Sequence, residues 1–258
     1  MRWLAVLPLV AGCQLVFPLE GPDAALPDED GDGIPDVDDL CPHIKGGSQT
    51  DDDKDGVGLA CDPHPFDDAV LDRSLFFAFH GGDYDPSVLE LIGTADALDE
   101  AIAIGDPAGE PTWLLTTEAF PANANTEIQI EVGFVIVSAG DTTYHEVGLL
   151  ASHVDETNLL RGRVCFAGYE PAAPGYLQTN FNDTLDDKLD GASSLDDHTA
   201  ILRMKRVGLS GSCEIERDGF TYLSDTFNDP ALVGGQIGVV TGQSRVRVRY
   251  LWIYLHDG

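Results

Sequence analysis

Residues 213–223 read CEIERDGFTYL, two strand-like runs that flank the pair Asp218-Gly219. Asp-Gly between alternating apolar and polar residues favours a two-residue β-hairpin, because both central positions of that turn need a positive φ. The pattern therefore predicts that Glu214–Glu216 pair with Phe220–Tyr222 across the turn. It is the strongest short-range hairpin signal in the chain.

The same strand-like character extends over most of the sequence from about residue 70 onward. Apolar runs of strand length alternate with clusters of Gly, Asp, Asn and Pro, which is typical of β-sheet proteins. The runs are 75–79, 127–137, 146–154, 159–166, 176–181, 200–207, 236–240 and 245–255. Helical periodicity is weak and is best at 87–103. The pattern predicts a β-sandwich of about 190 residues.

The order of the last strands is similar to that of concanavalin A-like jelly rolls of the laminin-G and pentraxin kind. A strand at DDHTAILRMKRVG is followed by the Asp-Gly hairpin, then by GGQIGVVTGQSRVRVRYLWIYL, which ends in an aromatic-rich strand. The resemblance implies that residues 70–258 form an all-β, concanavalin A-like jelly-roll β-sandwich. A fold of this kind does not by itself give a function.

The chain has 258 residues, a formal net charge of −31 and a hydrophobic fraction of 43%. That length allows one large domain or two unequal ones. The acidity argues against nucleic acid as a partner, because no basic surface is available to displace counterions from phosphates. It also argues against simple adsorption to anionic lipid. An acidic excess suits solubility, cation binding or both.

Much of the acidity lies in residues 28–65, where carboxylates alternate with glycines. Calcium-binding loops of twelve residues place carboxylates at every second position and a glycine at the sixth, because six to eight oxygens must converge on one ion. Two runs fit this register. The predicted calcium ligands are Asp28, Asp30, Asp32, the Ile34 carbonyl and Asp39 in the first run, and Asp51, Asp53, Asp55, the Val57 carbonyl and Asp62 in the second.

Pro35 and Pro42 disfavour flanking helices, so the two runs do not match an EF-hand pair. The stretch DEDGDGIPDVDDLCPHIKGGSQTDDDKDGVGLACD, residues 28–62, closely resembles the thrombospondin type 3 repeat. The resemblance implies an irregular calcium-bound segment, with Asp36 and Asp39 helping to hold a second ion and Cys41 bonded to Cys61. Leu59 stands where the repeat normally has an acid, which implies weaker or fewer ions in the second loop. We expect the segment to act as a calcium-stiffened stalk.

The N-terminus reads MRWLAVLPLVAGC, with one positive charge, a short apolar stretch and then Gly12-Cys13. The apolar stretch is too short to span a bilayer and has the layout of a secretion signal. LVAGC resembles the lipobox of bacterial lipoproteins, which implies a signal peptide at 1–12, acylation of Cys13 and a tether at 13–27. The resemblance places the protein in the outer membrane or at the cell surface, anchored in the lipid membrane.

Export also affects the remaining four cysteines, because disulfides persist in oxidising compartments. Cys165 and Cys213 lie in strand-like runs, and we expect them to form a structural disulfide.

Basic residues are few, but eight of the fourteen lie in three predicted strands. They are Arg161 and Arg163; Arg203, Lys205 and Arg206; and Arg245, Arg247 and Arg249. If the strands are neighbours, these side chains line a face for anionic polysaccharide or an acidic partner protein. The alternative is a solvent face on which they pair across strands with Glu127, Glu131, Glu214 and Glu216.

A catalytic alternative rests on EIQIE at 127–131, near the E-x-D-x-E strand of one jelly-roll glucanase family. Glu127 and Glu131 would share a strand face and could flank a glycosidic bond, although Gln129 replaces the central acid. Overall, the sequence favours a calcium-binding, lipid-anchored surface protein that binds carbohydrate or a surface protein, or mediates adhesion. The alternatives are a glycoside hydrolase using Glu127 and Glu131, and a structural envelope protein without a ligand.

Overall fold

The computed structural model describes residues 26–67, 73–106, 110–120, 123–137, 145–153, 162–169, 174–181, 184–195, 198–231, 234–242 and 244–257. Cys13, the expected signal peptide and Arg161 lie outside these ranges. Within them, no helix is long and apolar enough to cross a membrane.

The described part of the sandwich is built almost entirely of strands, as the alternation of apolar and polar residues predicts. Their bounds are β1 Arg73–Ala78, β2 Leu89–Ile92, β3 Ala95–Leu98, β4 Ala101–Ile104, β5 Thr112–Thr116, β6 Thr126–Val137, β7 His145–His153, β8 Arg163–Tyr169, β9 Gly175–Phe181, β10 Thr184–Asp190, β11 Thr199–Val207, β12 Ser210–Arg217, β13 Phe220–Asn228, β14 Gln236–Thr241 and β15 Arg245–Asp257. A single 3₁₀ turn covers His80–Gly82 in these residues.

The strands form two antiparallel sheets. The eight-stranded sheet has the order β13-β12-β11-β6-β15-β4-β3, and β1 also pairs with β15. The seven-stranded sheet has the order β10-β9-β8-β7-β14-β5-β2. Strand β15 is long enough for β4 to pair with its first part and β1 with its second part along one edge. The predicted all-β jelly-roll sandwich is confirmed.

The core lies between the two sheets and follows the period-two alternation of the strands. On β6 the inward residues include Val132, Phe134 and Ile136, all fully buried, and they meet residues such as Leu149 of the facing sheet. Cys165 of β8 and Cys213 of β12 form the expected disulfide, which links the seven-stranded sheet to the eight-stranded sheet through this core.

The hairpin at 213–223 forms around the predicted Asp218-Gly219 turn, but the predicted pairing is only partly correct, because Phe220 faces Arg217 and Glu214 faces Ser224. Asp218 and Gly219 have φ values of 53° and 81°, the left-handed conformation that the two-residue turn requires. Glu216 faces Thr221 and Ile215 faces Leu223, with a bulge between the two pairs.

The weak helical pattern at 87–103 does not correspond to a helix. The structure forms β2, β3 and β4 there, and Gly93, with a φ of 121°, turns the chain between the first two. A Cβ at Gly93 would lie 2.5 Å from the Thr112 hydroxyl oxygen, so the turn packs too closely for another residue. Short strands joined by tight turns contain too few residues to show a clear helical or strand periodicity of apolar positions.

The acidic segment, residues 26–67, contains turns and bends but no helix or strand. Its backbone is held by side-chain to backbone hydrogen bonds and by the disulfide Cys41–Cys61, which forms as expected. The segment lies against the outer face of the eight-stranded sheet, the face turned away from the core. The stalk expectation is therefore wrong for these residues: they pack on the sandwich instead of projecting from it.

Candidate functional site

The first acidic loop brings three carboxylates together. One oxygen from each of Asp28, Asp30 and Asp32 lies within 4.8 Å of the others. The two Asp28 oxygens accept hydrogen bonds from the amides of Gly31 and Gly33, both at 2.9 Å. Gly31 and Gly33 have positive φ values of 71° and 95°, which bend the backbone around the Asp28 carboxylate.

The second loop repeats this arrangement at equivalent positions. Asp51, Asp53 and Asp55 converge within the same 4.8 Å limit. The Asp51 oxygens accept hydrogen bonds from the amides of Lys54 and Gly56 at 2.6 and 3.1 Å, matching the offsets of the first loop. Lys54 and Gly56 have φ values of 71° and 91°. The structure therefore places two copies of one loop geometry within a single segment.

Several oxygens in these loops lack a hydrogen-bond donor. Both carboxylate oxygens of Asp53 and one oxygen of Asp30 are shielded from solvent and accept no hydrogen bond from the described residues. Burial, reinforced by the charges of Asp32, Asp39 and Asp28, raises the pKa of Asp30. Shielded, mutually repelling carboxylates are unfavourable unless a cation neutralises them. The donor set is all oxygen, so the loops fit a hard cation such as Ca²⁺ rather than zinc.

The other predicted ligands lie outside the two triads. One Asp39 oxygen accepts hydrogen bonds from the Cys41 amide and the Gln49 side chain, and an Asp62 oxygen accepts from the His64 amide. Asp36 accepts from the Glu29 amide, which joins the start of the first loop to its end. The amides of Ile34 and Val57, whose carbonyls were predicted as ligands, donate to Asp32 and Asp55.

The segment rests on aromatic side chains of the eight-stranded sheet. We call Phe76 of β1 and Tyr250, Trp252 and Tyr254 of β15 the aromatic strip. Buried Cys41, Val57 and Cys61 pack on it. The His43 ring stacks on Trp252 with 4.4 Å between centroids. Trp252 is only 5% exposed and donates a hydrogen bond to the Ser74 hydroxyl, so the covered strip is firmly positioned.

Charged and histidine side chains complete this interface. Arg249 of β15 pairs with Glu29 at 2.6 Å, and His80 lies 3.6 Å from the same carboxylate. At the other end of the segment, His64 lies 3.2 Å from Glu127 and stacks on His256 with 3.8 Å between centroids. The acidic segment is thus held at both ends, and the interface could not be read from the sequence because its partners are far apart in the chain.

Glu127 and Glu131, the alternative catalytic pair, share the outer face of β6 as predicted. Both carboxylates already form ion pairs with basic side chains. Lys205 pairs with Glu127 at 2.7 Å, while Arg203 and Tyr250 bond to Glu131. Burial would raise the pKa of Glu127, but hydrogen bonds from Lys205, Gln129 and His64 hold it below its usual value. A general acid needs a raised pKa and an open approach, so this pair does not suit glycoside hydrolysis.

The predicted basic face is split by the fold. Arg163 is fully buried between the sheets, where it pairs with Asp186 and Asp229, both at 2.6 Å, and covers the Phe227 ring. Arg206 also points inward and is 2% exposed. Alternation explains both positions, since each residue shares its strand face with core residues. The prediction that Arg163 belongs to a ligand face is therefore wrong.

The remaining basic residues lie on the outer face of one sheet, on β11 and β15, with β6 between them. Arg203 and Lys205 form the cross-strand ion pairs of the alternative prediction, while Arg245 and Arg249 pair with other carboxylates. Arg203 pairs with Glu216 at 2.7 Å as well as with Glu131, and Arg245 pairs with Asp96. Arg247 is exposed and differs from these residues, because the described part of the chain places no carboxylate within ion-pair distance of it.

Solved lectin structures share this architecture at low sequence identity. The seed lectin of Lotus tetragonolobus is 10% identical, with a TM-score of 0.55 over 72% of this chain and 100% of that one. The metal-free lumenal domain of VIP36 is 11% identical, with a TM-score of 0.54 over 70% and 90%. The Ca²⁺/Man3GlcNAc-bound form of that domain is 8% identical, with a TM-score of 0.53 over 65% and 85%.

At these identities the similarity shows the fold alone, a legume-lectin-like sandwich. The similar structures are of lectins, which are not enzymes. No protein-family model and no curated protein sequence matches the chain.

Proposed function

We propose that this chain is a calcium-binding, carbohydrate-binding protein, in which the acidic segment holds calcium and the lectin-like sandwich binds sugar. The observation that carries the calcium part is the repeated loop: two aspartate triads share one backbone geometry and contain shielded oxygens without donors. The observation that supports the sugar part is the fold, since VIP36, a lectin of this architecture, has been solved with Ca²⁺ and mannose.

Asp28, Asp30 and Asp32 would hold one ion, and Asp51, Asp53 and Asp55 another. Calcium would supply positive charge that neutralises the clustered carboxylates. The chain's own part is to orient them: the amides of Gly31, Gly33, Lys54 and Gly56 hold the first aspartate of each loop, and the disulfide Cys41–Cys61 ties the loops together. Asp36 and Asp39 are candidates for completing the first shell, as the resemblance to the thrombospondin repeat implies. Asp62, at the twelfth position of the second loop, is the candidate there.

Calorimetric titration with Ca²⁺ tests this proposal. Asp53→Asn should weaken binding at the second loop about tenfold or more, because a charged ligand is lost from a site of few ligands. Asp52→Asn is the matched control: it removes the same charge from an exposed side chain between two ligands. Equal effects of the two substitutions, or no calcium binding by the parent chain, would contradict the metal site.

Export and lipid anchoring are part of the proposal and rest on the N-terminal sequence. Cys13 follows a short apolar run and Gly12, in the arrangement of a lipobox. In a bacterial host that processes lipoproteins, the mature chain should carry acyl groups on Cys13 and fractionate with membranes, whereas Cys13→Ala should remain unacylated. Mass spectrometry of the purified protein distinguishes these outcomes. Recovery of the parent chain without an acyl group would count against the anchor.

A further inference from the structure

The outer face of the eight-stranded sheet contains a cleft of about 670 Å³ beside the acidic segment. We call it the Arg247 cleft. The strand register places its floor in one row, with Arg247 of β15 opposite Val135 of β6 and Val135 opposite Thr199 of β11. Leu98, Asp99 and Glu100, at the turn between β3 and β4, also line the cleft, as does Arg249.

Arg247 is the unusual residue of this cleft. On the same strand, Arg245 pairs with Asp96 and Arg249 pairs with Glu29. Arg247 is exposed, lines the cleft, and has no carboxylate within ion-pair distance among the described residues. In a chain with a net charge of −31, an arginine that no carboxylate of the described residues neutralises is available to bind an anion.

The other walls limit what kind of anion fits. Val135 and Leu98 offer an apolar surface, while the Thr199 hydroxyl and the Glu100 carboxylate offer hydrogen-bonding groups of both kinds. A sugar ring matches this mixture, because its axial C–H groups are apolar and its hydroxyls both donate and accept. The volume lies within the range of about 300–1,000 Å³ typical of small-ligand sites and accommodates a short oligosaccharide.

We propose that the Arg247 cleft is a subsite for a carboxylate-bearing sugar, with the guanidinium of Arg247 binding the carboxylate of a uronic acid. This inference rests on the proposed carbohydrate binding and names the class of sugar. The acidity of the site limits the charge of the ligand. Asp99 and Glu100 line the same cleft and repel a dense polyanion, whereas a single carboxylate can pair with Arg247. Charges beyond about 8 Å are largely screened at physiological salt. Short, weakly charged acidic oligosaccharides should therefore bind best.

Calorimetry at saturating Ca²⁺ tests the subsite with trimers of galacturonic, glucuronic and mannuronic acid, each compared with its carboxyl-reduced, neutral counterpart. At least one acidic trimer should bind about tenfold or more tightly than its neutral counterpart, as the loss of a charge-assisted bidentate contact predicts. Arg247→Ala should remove that preference, and Arg247→Lys should retain part of it. The matched control is Arg245→Ala, which removes a guanidinium from the same strand face that is already paired with Asp96.

The outcomes separate the subsite from the proposed function. Binding of neutral trimers equal to that of acidic ones, or an acidic preference that survives Arg247→Ala, overturns the Arg247 subsite and leaves carbohydrate binding standing. Absence of binding to every trimer, together with a negative screen of neutral glycans, overturns both. Binding of an acidic peptide without binding of any acidic sugar also overturns the subsite and would indicate a protein partner.

Discussion

At the scale of single residues, Lys54 shows how closely the two acidic loops are matched. It occupies the position of Gly31 and has the same φ of 71°, a left-handed conformation that costs a residue with a Cβ about 1–2 kcal/mol. We expect Lys54→Gly to raise the free energy of unfolding in Ca²⁺ by about 0.5 kcal/mol, since glycine relieves this strain but gains entropy in the unfolded chain. Urea denaturation of the calcium-bound protein measures the change.

Lys54→Met is the control for this prediction. It removes the same charge from the loop but keeps the Cβ and therefore the backbone strain. A gain in stability for Lys54→Met equal to that for Lys54→Gly would assign the effect to charge instead of conformation.

Glu146, on β7 of the seven-stranded sheet, makes the stability of the folded chain depend on pH. Burial raises its pKa, although a hydrogen bond from Tyr176 and the charge of Lys188 oppose the rise. A carboxyl with a raised pKa in the folded state binds more protons there than in the unfolded chain. Its ionisation therefore lowers stability as the pH rises from the ordinary carboxyl range through the raised pKa.

Glu146→Gln keeps an oxygen that can accept from Tyr176 but removes the buried charge. We expect the variant to unfold at a higher temperature than the parent at pH 8, with a difference that shrinks toward pH 5. Glu90→Gln, an exposed glutamate on β2, is the control and should show no such pH-dependent gain. Thermal melts across this pH range would contradict the argument if the two variants behaved alike.

At the scale of elements, the acidic segment and β15 form one unit. The first loop is tied to β15 through Glu29 and Arg249, and the segment's disulfide packs on the aromatic strip. Without calcium, the clustered carboxylates repel one another, and this repulsion opposes the contacts of the segment with the aromatic strip. We expect chelation to release the segment and to uncover Trp252.

A chain in which Trp3 and Trp113 are replaced by Phe reports on Trp252 alone. Addition of a calcium chelator should shift its emission to longer wavelength and increase quenching by acrylamide. His43→Ala should show part of this increase with calcium bound, because the stacked ring is lost. The control retains Trp113 alone, which is 2% exposed and lies on a strand of the other sheet. Unchanged quenching of Trp252 after calorimetry confirms loss of the ion would contradict the coupling.

The elements that could be predicted from the sequence are those with a local signal. The Asp218-Gly219 hairpin and the long strands β6, β11 and β15 carry either a turn dipeptide or many alternating residues. The acidic triads were found because their ligands are two positions apart. Strand β10, with the sequence TLDDKLD, was missed because an exposed edge strand has no buried face to impose alternation.

At the scale of the whole molecule, the few cations of a strongly acidic chain are placed where carboxylates meet them on one sheet face. Arg249 pairs with Glu29 of the docked segment, whereas Arg203 and Lys205 pair with Glu131 and Glu127 of β6. This arrangement could not be predicted, because the strand order decides which residues become neighbours. Alternation along β8 places Arg163 in the core, whereas the strand order leaves Arg247 facing the cleft. The number of basic residues in each strand does not show which arginine is buried and which is exposed.

Docking on β15 also has a consequence for the time course of folding. Glu29 and Arg249 are 220 positions apart, so a segment made near the start of synthesis must wait for a strand made much later. Contacts of such long separation form slowly, because a large loop has to close first. In stopped-flow refolding we therefore expect the fluorescence of Trp113 to change before the protein takes up calcium. Uptake that preceded the Trp113 signal would mean that the loops are assembled independently of the sheet. The sandwich thus provides the surface on which the acidic segment, although synthesised first, reaches its calcium-binding conformation. High calcium affinity therefore develops late in folding.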